Sequence, residues 1–351
     1  MKYYVIQQGK QLMVTLFILA GCGLFLIFSQ EARNSAVQGL MLCGQVVIPS
    51  LFVFLCLCQW LMTSSGIGWL TRYGKPLFRL LLGSYWQGGT AWLMAVIGGY
   101  PMGAVALKQL LAQGMITEEQ AKRLTCFLFV PSPAFVITAV GGGLLNSAYS
   151  GVLLWGSCII ASLVITVVGC RVKQVKSAAT LSPLSVQSMH FTEGVASACQ
   201  VMLQICGMVV LFRVVIGFLP LLSLPVGISD WVAGILEVTN GCVVMSRYGL
   251  PVLAAVLGFG GISAHWQIKG LAGELLPSYS RYSWVRVLQG LLSYMTAHAF
   301  CLAFPNAVST MAIETATAKA EVSWLPAIGL MITCMIFLYS LQTGTKKECK
   351  K

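Results

Sequence analysis

Charge is what this chain has least of. Only 9% of its 351 residues are Asp, Glu, Lys or Arg, against about 25% in ordinary soluble domains. That excludes a soluble globular protein. Acids are scarcer still, with 10 Asp and Glu against 22 Lys and Arg and a formal net charge of +12. In a soluble chain this balance would suggest a nucleic-acid partner. No RNA- or DNA-binding motif is present, however, and the cations cluster between apolar runs, as they do in the cytoplasmic loops of membrane proteins. The sequence also lacks any Cys-x-x-Cys pair. Its 13 cysteines, Cys56, Cys58, Cys158, Cys206 and Cys334 among them, are scattered through apolar segments, where cysteine behaves as a small hydrophobe. This pattern predicts no zinc site, no other metal or cofactor and no disulfide framework.

What the chain has is apolar length: 57% of it is hydrophobic, in several runs near the roughly 20 residues that cross a bilayer. It is an all-α polytopic membrane protein by this reading. Residues 11–29 form a first span. Leu19-Ala20-Gly21-Cys22 looks like a lipoprotein cleavage box, but the apolar run continues past it and predicts an uncleaved anchor. Residues 36–62 follow, with a kink expected at Pro49. Residues 63–87 combine Arg72, Lys75 and Arg79 with Trp69, Tyr73 and Trp86, the composition of an amphipathic interfacial helix. Thr117 with Gln120 three residues later predicts a capping box. Pro131-Ser132-Pro133 interrupts the helix over 124–145. Later apolar segments lie at 148–170, 197–219, 231–249, 251–273, 283–305 and 323–341.

Two glycine breaks stand out. Ile97-Gly98-Gly99-Tyr100-Pro101-Met102-Gly103-Ala104 puts a glycine pair and a proline inside an apolar run, and Phe259-Gly260-Gly261-Ile262-Ser263-Ala264-His265-Trp266-Gln267 repeats the pair 162 positions later. Glycine costs about 1 kcal/mol in a helix interior and proline about 3. A break at membrane depth marks a tight helix contact or a place where something polar binds. Read as equivalents, the breaks divide the chain into an anchor helix (1–35), a first repeat (36–170), a basic linker (171–193), a second repeat (194–305) and a C-terminal span with a basic tail (306–351). An inverted second copy with a re-entrant hairpin at 251–273 would put Lys269, Arg281, Arg286 and the tail outside, against the positive-inside rule. A spanning second hairpin would repair the charge count and spoil the symmetry. We favour the inverted repeat by analogy with transporters.

GGYPMGA, a short acidic-basic turn, EVTNG and FGGISAHWQ occur in that order. Together they resemble the nucleoside-recognition (Gate) domain family over roughly 36–305, and within it the sporulation integral membrane proteins of the YlbJ type. The resemblance implies two Gate-like repeats in a fold related to concentrative nucleoside transporters, each with a re-entrant hairpin and a broken helix. It also implies a role in spore formation at the membrane around the forespore of a spore-forming bacterium, with transport of a small anion such as dipicolinate. One departure is plain: relatives carry an Asn pair where this chain has Phe129-Val130 ahead of Pro131-Ser132-Pro133.

Candidate substrate-binding residues are Gly99, Tyr100, Pro101 and Ser132 in the first half and Gly261, Ser263, His265 and Gln267 in the second. Backbone groups freed at a break, a hydroxyl and an imidazole can all hold a carboxylate. Glu237, an acid at membrane depth, could bind a coupling ion, Na⁺ or H⁺, with Thr239 and Asn240; a helix-end carboxylate is the plainer reading. Tyr294 and His298 share a helix face by spacing. Three functions compete: a transporter of a small anionic solute, a non-transporting assembly protein, and an intramembrane serine hydrolase with Ser263 as nucleophile and His265 or His298 as base. The hydrolase needs a serine–histidine hydrogen bond, which residues two apart on one helix do not make. No catalytic residue is therefore assigned.

Overall fold

A computed structural model describes residues 2–63, 66–172 and 191–304. Most of the basic linker and the expected span at 323–341 with its lysine-rich tail lie outside the described residues. Among the described residues there is no strand. The elements are α1 (Lys2–Ile27), α2 (Ser29–Leu42), α3 (Ile48–Thr63), α4 (Gly66–Tyr73), α5 (Lys75–Leu82), α6 (Gly89–Gly98), α7 (Tyr100–Ala112), α8 (Glu118–Leu124), a wide-turned helix over Ala134–Leu144, α9 (Ala148–Val172), α10 (Phe191–Gly217), α11 (Val226–Leu236), α12 (Val238–Met245), α13 (Leu250–Phe259), α14 (Gly261–Ala272) and α15 (Tyr279–Ala303). Among the described residues four helical stretches are long and apolar enough to cross a membrane: Ser29–Met62, Ala148–Val172, Thr192–Leu222 and Leu250–Leu275.

Local chemistry explains several of these elements. α2 and α3 join through a π-turn at Cys43–Val47. The proline at position 49 cannot donate to the turn before it, and a wider turn absorbs the missing bond. Thr117 and Gln120 form the expected capping box: Thr117 Oγ1 accepts from the Gln120 amide at 3.2 Å, and Gln120 Oε1 accepts from the Thr117 amide at 3.0 Å. The basic and aromatic stretch after α3 is two short helices rather than one. Trp69, Tyr73, Leu77 and Leu80 are exposed on them while Phe78 and Leu82 are buried. Lys75 and Arg79 lie over the face of the buried Trp86.

α6 turns back at Gly99 and packs against α7, with Gly103 close to Ala95. Both ends of this hairpin lie at the end of the molecule that holds α5 and α8, where the position of Gly89 abuts Phe78 and Gln120 Nε2 donates to the Ser84 carbonyl at 3.5 Å. The second hairpin is not at 251–273. It is α11 and α12, which turn back at Glu237 and pack so closely that a Cβ on Gly241 would sit 2.7 Å from Gly234 Cα. α13 and α14 instead bend at Gly260-Gly261 and run on through the molecule as Leu250–Leu275. The 162-residue offset therefore pairs a hairpin tip with a bend, and the two glycine breaks are not structural equivalents. A glycine pair permits either geometry, so its spacing alone does not distinguish them.

The described cations are distributed unevenly between the two ends. Arg123 donates to the Gly169 carbonyl at 2.8 Å, Arg171 donates to the Leu80 carbonyl at 3.0 Å, and α8 packs on the turn that ends α14. One end of the molecule thus gathers Arg72, Lys75, Arg79, Lys122, Arg123 and Arg171 together with Lys269 and Arg281. The first hairpin opens to that end. The second opens to the other, where Arg247 pairs with Asp230 and Arg213 donates to Gln38 Oε1 at 2.5 Å. Hairpins that open to opposite ends are compatible with one cation-rich face if 250–275, long and apolar enough to cross, does so. Arg286, expected as a loop charge, is wholly buried.

Candidate functional site

The four interruptions of helix meet. They are Gly99, the Pro131-Ser132-Pro133 segment, Glu237 and Gly260-Gly261. Gly99 takes φ 88° and ψ −168°, open to glycine alone, and a Cβ there would lie 3.0 Å from Ser132 Cβ and 3.1 Å from its amide nitrogen. Gly261, at φ 74°, lies against the second hairpin tip, where a Cβ would come within 2.8 Å of the Val238 nitrogen. Tyr100 stacks on Phe129 with ring centroids 4.3 Å apart, and its hydroxyl donates to the Leu257 carbonyl at 2.6 Å.

Breaking a helix in an apolar setting frees backbone groups that must find partners. At the carbonyl ends they do. Below the first broken helix, Arg286 donates to the Cys126 carbonyl at 2.6 Å and to the Phe129 carbonyl at 3.4 Å, and Gln289 Nε2 donates to the Phe129 carbonyl at 2.6 Å. A cation at a helix C-terminus also suits the dipole. The guanidinium lies under the Phe129 ring, 4.4 Å from its centroid. At the second bend the Leu257 carbonyl is met by Tyr100, and the Phe259 carbonyl is met by His265 Nε2 at 2.9 Å.

The N-terminal ends differ from one another. Ser132 Oγ accepts from the Phe135 amide at 3.2 Å. Glu237 caps α12: Oε1 accepts from the Thr239 amide at 2.9 Å, and Oε2 accepts from the Asn240 amide and from Asn240 Nδ2, both at 2.7 Å. An acid at a helix N-terminus is the favourable sign. α14 has no such cap. No side chain accepts from its first amides, and Ser263 Oγ, 1% exposed, has no hydrogen-bond partner.

Ser263 and Ala264 in the first turn of α14 line a cavity of about 50 Å³ at the meeting point, as do Gly99, Tyr100 and Pro101 at the start of α7, which also has no side-chain cap; it has room for a few waters or one small ion. Of the residues singled out from sequence, Gly99, Tyr100, Pro101, Ser132, Ser263, Gln267, Glu237 and Thr239 line it. Gly261 braces the second tip from behind, and Asn240 belongs to the Glu237 cap. His265 is not brought to the cavity. Its ring lies among Phe129, Phe259, Tyr279 and Tyr282, on the side of α14 away from Ser263. His298 stacks on Tyr294 with ring planes 6° apart and lines none of this site.

Sequence reasoning missed the walls and the braces. α3 contributes Leu51 and Leu55, and α10 contributes Ile205 and Val209; nothing distinguishes these from other apolar residues in a span. Arg286 and Gln289 did carry a signal, as a cation and an amide one turn apart within the expected span at 283–305.

The chain is similar to the sporulation integral membrane protein YlbJ of Bacillus subtilis (strain 168), with 23% identity over 401 aligned positions that cover 96% of this chain and 98% of that one. No family model matches the chain, and no solved structure does.

Proposed function

We propose that this chain is a sporulation-associated integral membrane transporter of a small anionic solute, dipicolinate being the leading candidate, in the membrane around the developing spore. The likeness to a sporulation integral membrane protein along nearly the whole of both chains supports the setting. The two hairpins, opened to opposite ends, with a broken helix after each, support an inverted repeat of the kind that lets transporters present one site to either face. The repeat pairs Gly99 with Glu237 and the Pro131–Pro133 break with Gly260-Gly261, and it resembles the Gate-type and concentrative-nucleoside-transporter arrangement.

The observation that carries the anion is the unpartnered Ser263 hydroxyl in the first turn of α14, at a cavity that the uncapped start of α7 also lines. Amides at a helix start, the positive end of the dipole and a free O–H donor together form a carboxylate site. The cavity is smaller than an aromatic dicarboxylate, so binding one requires the tips to part. Glu237 is committed to its cap in this arrangement, and a coupling ion would have to loosen it. No group in this reading does covalent chemistry: Ser263 Oγ makes no hydrogen bond to a histidine.

The test is a deletion in the organism that encodes the chain. Spore dipicolinate should fall sharply while the mother cell still makes it. Normal spore dipicolinate would count against transport of this anion, and a general failure of spore assembly would favour an organising role instead.

A further inference from the structure

Two larger cavities flank the site, and the residues that line them show how the three are related. The first, of about 300 Å³, draws on the same four helices as the central cavity, a turn or so further along each. α3 goes from Leu55 to Gln59, α7 from Pro101 to Val105 and Lys108, and α14 from Gln267 to Leu271. On α10, which runs the opposite way, the step is downward in number, from Ile205 to Val201. The second, of about 530 Å³, lies on the other side. Phe135 and Thr239 line both it and the central cavity, and it continues outward past Thr138 and Gly143 on the wide-turned helix and Val243 on α12.

We propose that these are the two vestibules of one permeation path whose narrowest part is the cavity at the helix breaks. This deepens the transport reading and rests on it. The two mouths are chemically unlike. The first opens at the cation-rich end and carries Lys108, exposed and with no charged partner among the described residues, beside Gln109, Gln200 and Gln204. The nearest acids by sequence are Glu274, three residues past Leu271, and Glu193, four residues before Ser197 on α10. The second mouth carries no charge, only Gln45, Ser50, Thr138 and Thr239 among apolar residues. Lys108 thus draws anions into the path from the cytoplasmic side, and Phe135 with Thr239 closes it on the other.

The experiment reconstitutes the full chain in liposomes and follows uptake of radiolabelled dipicolinate. Lys108→Glu reverses the charge at an exposed position. It should reduce initial uptake about tenfold at low ionic strength, with the deficit shrinking in high salt. Gly143→Trp fills the opposite vestibule at an exposed position. It should block uptake while dipicolinate binding by the detergent-solubilised protein persists. Wild-type uptake in both variants would overturn the path and leave transport standing. If Gly143→Trp fails to fold, a salt-independent or absent Lys108→Glu effect overturns it alone. No uptake by the wild type would instead remove the transport reading, and the path with it.

Discussion

The first and second broken helices present the same problem and end differently. At the first, both sides of the break are met: Arg286 and Gln289 hold the carbonyls, and Ser132 accepts from one freed amide, that of Phe135. At the second, Tyr100 and His265 hold the carbonyls, and α14 starts without a side-chain cap, its Ser263 hydroxyl unpartnered at the cavity. A freed backbone group inside a membrane protein is costly unless something meets it. The completed break therefore reads as a joint, and the incomplete one as a seat for a ligand. Phe129 fits the same contrast. It fills the space between Tyr100 and Arg286 and screens the buried cation from the cavity.

The comparison can be broken most forcefully at the joint. Arg286→Met removes the charge-assisted bonds to two carbonyls and should cost about 3 kcal/mol or more, seen as a large drop in the thermal midpoint of the purified protein. Little change would mean that the first break does not need its brace. Next is Gly261→Ala. A residue with a Cβ at φ 74° costs about 1–3 kcal/mol, and the added carbon meets the Val238 nitrogen at 2.8 Å. Titration calorimetry with dipicolinate should show binding lost, because the second tip is displaced. A smaller effect is expected for His265→Ala. It leaves the Phe259 carbonyl unmet and should lower stability by about 1 kcal/mol while the dipicolinate Kd stays within about twofold, a shift of a few tenths of a kcal/mol. A large rise in Kd at unchanged stability would return His265 to the binding site.

Much of this architecture was legible because it follows from local chemistry. The capping box at Thr117 and Gln120, the breaks at Gly99 and Gly260, and the interruption at Pro131 are dictated by residue types with narrow backbone demands. The second hairpin was not legible in the same way. Its tip has neither glycine pair nor proline; it is a lone acid before Val-Thr-Asn, an N-cap hidden in an apolar run. Arg286 looked like a loop cation because a sequence gives no depth for a residue seven positions into a helix. The site could be read only in part. Ser263 and His265 are two residues apart, which on a helix sends one to the cavity and the other to the carbonyl of Phe259.

Ser263→Ala should have the smallest effect, and it is the most direct test. An unpartnered buried hydroxyl contributes nothing to the fold, so its removal should leave the thermal midpoint unchanged or slightly raised. If the hydroxyl serves a bound anion, the same substitution should weaken dipicolinate binding by about 0.5–1.5 kcal/mol, roughly two- to tenfold in Kd. Both quantities come from one purified sample by melting with and without the anion. Unchanged stability with a raised Kd is the predicted result. A lowered midpoint with an unchanged Kd would contradict the account, because Ser263 would then belong to the fold and the bare end of α14 would not be the seat of the solute.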